Sequence, residues 1–400
     1  MIVANALLFT LLALVLAYAL AELFHYFRLP RVIGQLLAGI VLGIPFLKGV
    51  LYSSDIDAAF SYITNIGIIL LFFFIGLELN LRGVRKNMRA SAYIAVFNTV
   101  IPLFIGYLVA RYVFGFNDIV SLIIGISVSV SSQAITLDIL DEAKMLRSRI
   151  GSLIITSGMV DDLFELLLVS SILIVVQSAS LGAADLPMFV LSALIFIMLV
   201  FLFRLLFIPV ILKLFEREQS QSSLFMGALV IVLLMAYVSD LLGIGSLIGA
   251  LIAGALVRQT LLKEGGLKPW RRNELSHSLH AIAFGFLIPL FFVAVGLKMD
   301  LGSISSNMAL ILVLIAIDIG GTLAGTVIGV LLGKGTFREG LIVGWGVLPK
   351  GDTELVIATL ALQHRIITVD IFTAIITVAL VSTFVAPIVF KWMVRKNAKA

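Results

Sequence analysis

Two adjacent aspartates, Asp161 and Asp162, stand in the middle of a long apolar stretch and are the first candidates for chemistry. Neighbouring positions on a helix point about 100° apart, so both carboxylates can flank one cavity wall. A buried acid at membrane depth is costly and marks an ion or proton site, unless a base pairs with it only to hold helices together. Close acids favour protonation, and alkali cations prefer oxygen ligands. A site that holds either cation or proton is the minimal mechanism of exchange.

Two polar runs interrupt segments that are otherwise apolar. One carries Ser131, Ser132, Gln133 and Thr136, and the other carries Lys350, Gly351, Asp352, Thr353 and Glu354. Such runs cannot face lipid as regular helix, but they suit unwound segments whose free carbonyls line a cavity. For the serine run, a polar interface between packed helices is the alternative. Lys350 is costly at this depth unless Asp352 or Glu354 pairs with it.

A single acid, Asp318, lies in a later apolar segment. Asn98 lies 220 residues earlier, at the matching position of an internal repeat described below. Asp318 has two open interpretations, a structural one and a role at the site. At the site, it adds a third carboxylate or accepts a hydrogen bond from a protonated acid. We therefore hypothesise that Asp161, Asp162 and Asp318 form a carboxylate cluster.

The composition places these residues in a bilayer. Of 400 residues, 61% are hydrophobic and 13% charged, and the mean hydropathy of +1.17 exceeds what a soluble chain of this length can bury. Apolar runs of about 20 residues, the length that crosses a membrane as helix, recur from end to end. The absence of cysteine excludes thiolate metal sites and cysteine nucleophiles. We predict an all-α polytopic membrane protein, with no enzyme activity, organic cofactor or nucleic-acid partner.

We predict about 13 spans, and their charge distribution orients the chain. The spans cover 2–24, 30–47, 58–80, 90–113, 118–139, 147–177, 187–215, 222–241, 244–258, 277–297, 305–333, 337–362 and 367–393. Alternate loops on one side hold 22 of the 28 Lys and Arg residues, against 4 on the other. The positive-inside rule then places the N-terminus outside and the C-terminus in the cytoplasm. We expect the chain to lie in the cell (inner) membrane.

An internal repeat predicts the architecture. The motif IGQLLAG at 33–39 recurs as IGALIAG at 248–254, and FFFIGLELNL at 72–81 recurs as FVAVGLKMDL at 292–301. An odd span between the copies inverts them, which is an arrangement typical of secondary transporters with paired broken helices. We predict one transmembrane domain over 1–400, with repeat 1 about 1–178, a linking helix about 187–215 and repeat 2 about 221–395. Duplication in another kind of membrane protein is the alternative.

These stretches, together with GMVDDLFELL and LPKGDTELVIATLAL, resemble the monovalent cation:proton antiporter-2 family over nearly the whole chain. The resemblance implies that Asp162 is the main ion ligand and that Asp161 pairs with a base. It also implies that Thr136 is the polar residue of the first crossing helix, one of the two broken helices, with Ser131, Ser132 and Gln133 as neighbours. The basic-glycine-acid motif of the next crossing helix falls on Lys350, Gly351 and Asp352, with Glu354 close by. We expect a core that moves against a scaffold of spans 1–3 and 8–10, which also forms a homodimer.

One position departs from the family pattern. Relatives with paired aspartates usually place a lysine or arginine where this sequence has Asp318. Asp161 therefore lacks its expected basic partner, and Lys350 is the possible substitute. A stoichiometry that relies on that lysine releasing a proton does not transfer to this chain.

Exchange of Na+ for H+ is the favoured function, with K+/H+ exchange second because selectivity depends on oxygen positions. A sodium-coupled organic-solute symporter is a weaker alternative with similar architecture. An intramembrane aspartyl protease needs its two acids on separate helices and a GxGD motif, which is missing. A channel would need a continuous pore, and the inverted repeat favours a carrier.

Overall fold

The structure is a computed structural model that describes residues 2–27, 29–78, 88–146, 148–178, 186–207, 221–260 and 280–397. In these ranges all regular elements are helices, as predicted. The first half contains α1 Ile2–Tyr26, α2 Arg31–Leu42, α3 Pro45–Leu51, α4 Ser54–Glu78, α5 Met88–Tyr112, α6 Asp118–Ser129, α7 Ala134–Glu142, α8 Arg149–Ser178 and α9 Leu186–Leu202. The second half contains α10 Gln221–Leu241, α11 Ser246–Thr260, α12 Ile288–Leu297, α13 Leu301–Ser306, α14 Met308–Leu332, α15 Phe337–Val347, α16 Asp352–Gln363 and α17 Val369–Asn397. π-Helical turns follow α9 at Phe203–Phe207 and precede α12 at Ala283–Leu287.

Several of these helices have the length and composition of membrane spans. Six in the described ranges qualify singly, and α2 with α3, bent by 78° between them, makes a seventh if the pair is one span. Further apolar helices of 10–17 residues include α6 and most of α11 and α16. The number of thirteen spans stays a prediction.

Both predicted helix breaks are observed. The first separates α6 from α7 at residues 130–133, and the second separates α15 from α16 at residues 348–351. Pro349 explains part of the second break, because proline has no backbone N–H to continue the helical hydrogen bonds after Leu348, which is itself still helical with φ −67° and ψ −32°. Residue Val130 is extended, with φ −68° and ψ 140°, which ends α6.

The chain divides into two compact units. The first unit comprises residues 1–18, 35–79 and 173–297, and α4 packs there against α11 and α12. Its helices approach closely at the glycines of the repeated motifs: Gly39 lies against Gly296, and Gly76 lies against Gly254. A Cβ at any of these four positions would collide with the facing backbone, so the glycines permit the contact.

The second unit comprises residues 19–34, 80–172 and 298–400 and contains the predicted site residues. Its main helix pair is α5 with α14. Four glycines at four-residue spacing lie against α5, namely Gly321, Gly325 and Gly329 on one face of α14 and Gly333 directly after it. Because glycine has no side chain, the two backbones come together, which brings the polar residue Asn98 of α5 and Asp318 of α14 into one core.

The glycine stripe predicts a difference between neighbouring positions of α14. Gly325→Ala should destabilise the protein by about 1–3 kcal/mol, because the methyl group would meet Phe97 O and Asn98 N of α5. Gly320→Ala is the matched control, since a Cβ there meets nothing within 4 Å and alanine favours helix. Thermal unfolding of both purified variants in detergent measures the difference. Equal unfolding temperatures would contradict close packing of α5 on α14.

Candidate functional site

The two helix breaks meet in the second unit. Ser132 N in the first break donates a hydrogen bond to Pro349 O in the second, at 2.7 Å. Gly351 faces Ser132, and a Cβ on Gly351 would lie 2.9 Å from Ser132 Cβ. The close approach of the two breaks therefore depends on a small residue at each position, serine at 132 and glycine at 351.

Lys350 links the breaks through its side chain. Its ammonium Nζ lies 2.9 Å from Val128 O, 2.6 Å from Val130 O and 2.8 Å from Asp318 Oδ1. The two carbonyls belong to the end of α6, where no following turn supplies helical N–H donors. Lys350 is 4% exposed, so this buried charge has three oxygen atoms around it, as many as its three N–H groups.

Asp318 is completely buried and its carboxylate is bound on both oxygens. Oδ1 pairs with Lys350, and the hydroxyl of Ser382 in α17 donates to Oδ2. The predicted partners for Lys350 were Asp352 or Glu354. The structure pairs Lys350 with Asp318 instead, because α14 carries this acid to the end of α6. Glu354 is buried in α16, and the side chain of Asp352 lies outside the described ones.

Asp161 is buried in α8 and accepts hydrogen bonds from neutral groups. Thr99 Oγ1 donates to Oδ1 at 2.7 Å, and Asn98 Nδ2 donates to Oδ2 at 3.3 Å. Ser131 of the first break also donates to Oδ2. Among the described side chains these partners are uncharged, whereas the resemblance implies a base. Lys350, the substitute considered for that base, makes its ion pair with Asp318 in this part of the structure, and its role toward Asp161 stays a prediction.

The side chain of Asp162 lies outside the described ones, although its backbone is part of α8. The assignment of Asp162 as main ion ligand stays a prediction, and so does the cluster of Asp161, Asp162 and Asp318. Among the described side chains, no group of three or more His, Asp or Glu residues that could hold a metal ion was found.

The polar residues of the first break have different environments. The Thr136 hydroxyl donates to Gly346 O at 2.5 Å and so joins α7 to α15. The amide of Gln133 lies on Gly158 of α8, one turn before the paired aspartates. Its Nε2 is buried and has no hydrogen-bond partner among the described residues. Thr136 therefore has a structural contact, while the Gln133 donor is unpaired among the described side chains.

Sequence reasoning missed two residues of this network, Thr99 and Ser382. Thr99 follows Asn98 directly, so a search for hydroxyls beside that position would have found it. Ser382 lies 220 residues after Asp162 and so occupies the matching position in the second repeat. The same offset relates Asn98 to Asp318. The repeat therefore contained a signal for Ser382, and adjacency to Asn98 contained one for Thr99.

A helical membrane protein in which two broken helices join buried acids and a buried base has the architecture of a secondary transporter. The family described as sodium/hydrogen exchanger, transmembrane, matches residues 10–396. The chain is 30% identical over 370 residues to a Na(+)/H(+) antiporter of Enterococcus hirae, covering 92% of this chain and 93% of that protein. It is 27% identical over 373 residues to the Na(+)/H(+)-K(+) antiporter GerN of Bacillus cereus, covering 93% and 92%. The chain belongs to the sodium/hydrogen exchanger family.

A solved structure agrees with this fold. The sodium proton antiporter MjNhaP1 from Methanocaldococcus jannaschii matches with a TM-score of 0.71 over 100% of both chains, at 15% identity. At that identity the likeness shows a shared fold. The predicted all-helical antiporter fold and the predicted resemblance to cation:proton antiporters are confirmed.

The Lys350 contacts predict a large stability cost when the ammonium is removed. Lys350→Met should cost about 3–5 kcal/mol, because it leaves Asp318 buried without its counter-ion. Adding Asp318→Leu should restore part of this loss, since the double variant buries no unpaired charge at this position. Thermal unfolding in detergent compares the variants.

The matched control is Lys391→Met. Lys391 pairs with Glu142 at 3.3 Å, and both side chains are partly exposed, so this change should cost less than about 1 kcal/mol. If Lys350→Met and Lys391→Met unfold at the same temperature, Lys350 does not stabilise the breaks.

Proposed function

We propose that this protein exchanges a monovalent cation for H+ by alternating access, with Na+ favoured, and that Asp161 and Asp162 form the shared site. The observation that carries the proposal is the position of Asp161, buried beside the first break and bonded to Asn98, Thr99 and Ser131. Neutral donors orient a carboxylate without neutralising it. The negative charge then attracts either a proton or a cation.

Competition follows from the shared charge. A proton on the acid pair removes the attraction for a cation, and a bound cation disfavours protonation. If the site opens to one side of the membrane at a time, each passage carries one ligand or the other, and opposite gradients become coupled. Ser131 of the first break and Asn98 and Thr99 of α5 keep Asp161 oriented during both passages.

The choice of Na+ rests on ligand chemistry and on names in the family. Carboxylate, hydroxyl and amide oxygens are hard ligands that suit a small alkali cation. The Enterococcus hirae relative is named for Na+ and H+, and the GerN relative is named for K+ as well. We therefore retain K+/H+ exchange as the second candidate.

We further propose that the protein works as a homodimer in the cell membrane, with the N-terminus outside and the C-terminus in the cytoplasm. The charge asymmetry of the loops supports the orientation. No organic cofactor is needed for this exchange.

The proposed exchange can be measured in proteoliposomes. With an acidic lumen and a pH-sensitive dye, adding Na+ should drive proton movement in the native protein, with a smaller response to K+. Asp162→Asn should abolish the response, because the site loses the acid that binds cation and proton in turn. Asp138→Asn removes an exposed acid of α7 and should retain native exchange, which controls for reconstitution. Native-like exchange in Asp162→Asn would rule out the paired-aspartate site, and Na+ uptake without proton counterflow would favour a symporter.

The orientation has its own test, because the chain contains no cysteine. Single cysteines can replace Ser53 and Lys396. Both residues are exposed, and the predicted topology places them on opposite sides of the membrane. A membrane-impermeant maleimide applied to intact cells should label Ser53→Cys and should label Lys396→Cys only after the cells are opened. The reverse pattern would invert the predicted topology.

A further inference from the structure

Among the described residues, the side-chain oxygen of Asn98 has no hydrogen-bond partner, although it is buried. Asn98 is 1% exposed, and its Oδ1 has no hydrogen-bond partner among the described residues. Its Nδ2 lies 3.3 Å from Asp161 Oδ2 and 3.4 Å from Ser131 Oγ. Reversing the amide would place Oδ1 against a carboxylate oxygen, so these neighbours determine the orientation. A buried acceptor without a donor needs an explanation, and a bound ion is one of those that apply in proteins.

Two more buried polar atoms, on the segment that includes Ser131, share the property. Ser127 Oγ in α6 and Gln133 Nε2 in the first break also have no hydrogen-bond partner among the described residues. Both belong to the segment that supplies Ser131 to Asp161. The first break and the helix before it therefore hold two of the buried polar atoms without a hydrogen bond in the described part of the chain.

The repeat shows what the matching position in the other half does. An offset of 220 relates Asn98 to Asp318 and Val130 to Lys350. At Asp318 the acid and two carbonyls of the opposite break surround a cation, the Lys350 ammonium, which is tethered to the chain. At Asn98 the residue matching the lysine is Val130, which carries no charge. This half therefore has the oxygen at the matching position without a built-in cation.

We propose that the Asn98 side-chain oxygen is a ligand of the transported cation, acting with Asp162 on the neighbouring α8. This inference rests on the proposed exchange and adds a residue to its site. The same repeat position thus binds a permanent cation in one half and a passing cation in the other. Asn98 has a neutral amide where Asp318 has a carboxylate. The weaker ligand suits a transported ion, which must bind weakly enough to leave.

The alternative is that Asn98 only positions Asp161 through its N–H group. Thr99→Val and Ser131→Ala separate the two roles, because each removes a donor to Asp161 and leaves the Asn98 oxygen in place. Asn98→Leu removes both the donor and the oxygen. Asn98→Asp removes the donor but retains oxygen ligands, and it also covers the case in which Asn98→Leu fails to fold.

Two readouts test the ligand role. In exchange assays, Asn98→Leu should raise the apparent KM for Na+ about tenfold or more and change the ratio of Na+ to K+ rates. Thr99→Val and Ser131→Ala should alter all cations alike and keep that ratio. In purified protein, added NaCl should raise the thermal unfolding temperature of the native chain relative to choline chloride. Asn98→Leu should lose this Na+-dependent rise, while Asn98→Asp should retain or increase it and exchange more slowly.

The inference is overturned if the Asn98 variants match Thr99→Val in Na+ to K+ ratio and in Na+-dependent stabilisation. The proposed exchange fails separately, when the native protein shows no cation-driven proton movement. In that case, Na+-dependent stabilisation that is lost in Asn98→Leu would still support Asn98 as a ligand.

Discussion

The ion pair between Lys350 and Asp318 is the contact on which the second unit depends. Helix breaks leave carbonyl groups without donors, and the hydrocarbon of a membrane supplies no water to satisfy them. The Lys350 ammonium meets two of these carbonyls, and Asp318 balances its charge. The Lys350 side chain thus stabilises the contact between the two broken helices, and the other polar residues lie around this contact.

This use of the lysine determines the surroundings of Asp161. Since Lys350 is engaged by three oxygen atoms, the acid of α8 is oriented by amide and hydroxyl groups of α5 and the first break. Neutral donors fix the direction of a carboxylate while leaving its charge. The second unit thus separates two tasks, with a paired charge that holds the breaks and a second acid whose described partners carry no charge.

Close helix packing makes both tasks compatible. The glycine stripe of α14 lets α5 approach at backbone distance, and so Asn98 and Asp318 reach the breaks from two adjacent helices. Larger side chains on this face would displace α5 by the width of a methyl group or more. Hydrogen bonds near 3 Å would not survive that displacement.

The sequence by itself determined the features that depend on local composition. Apolar length predicted the helices, and buried acids marked the region of the candidate site. Polar runs within 127–136 and 349–354 predicted the breaks, which the structure places at 130–133 and 348–351. Partners were decided only by the tertiary structure, since Thr99 and Asp161 lie 62 residues apart and Thr136 and Gly346 lie 210 apart. The sequence placed Lys350 beside Asp352 or Glu354 because they are neighbours in the chain, yet the structure pairs it with Asp318. The physical reason is that the rotation of each packed helix about its axis, and its depth in the membrane, decide which polar groups meet. Hydropathy encodes neither the rotation nor the depth.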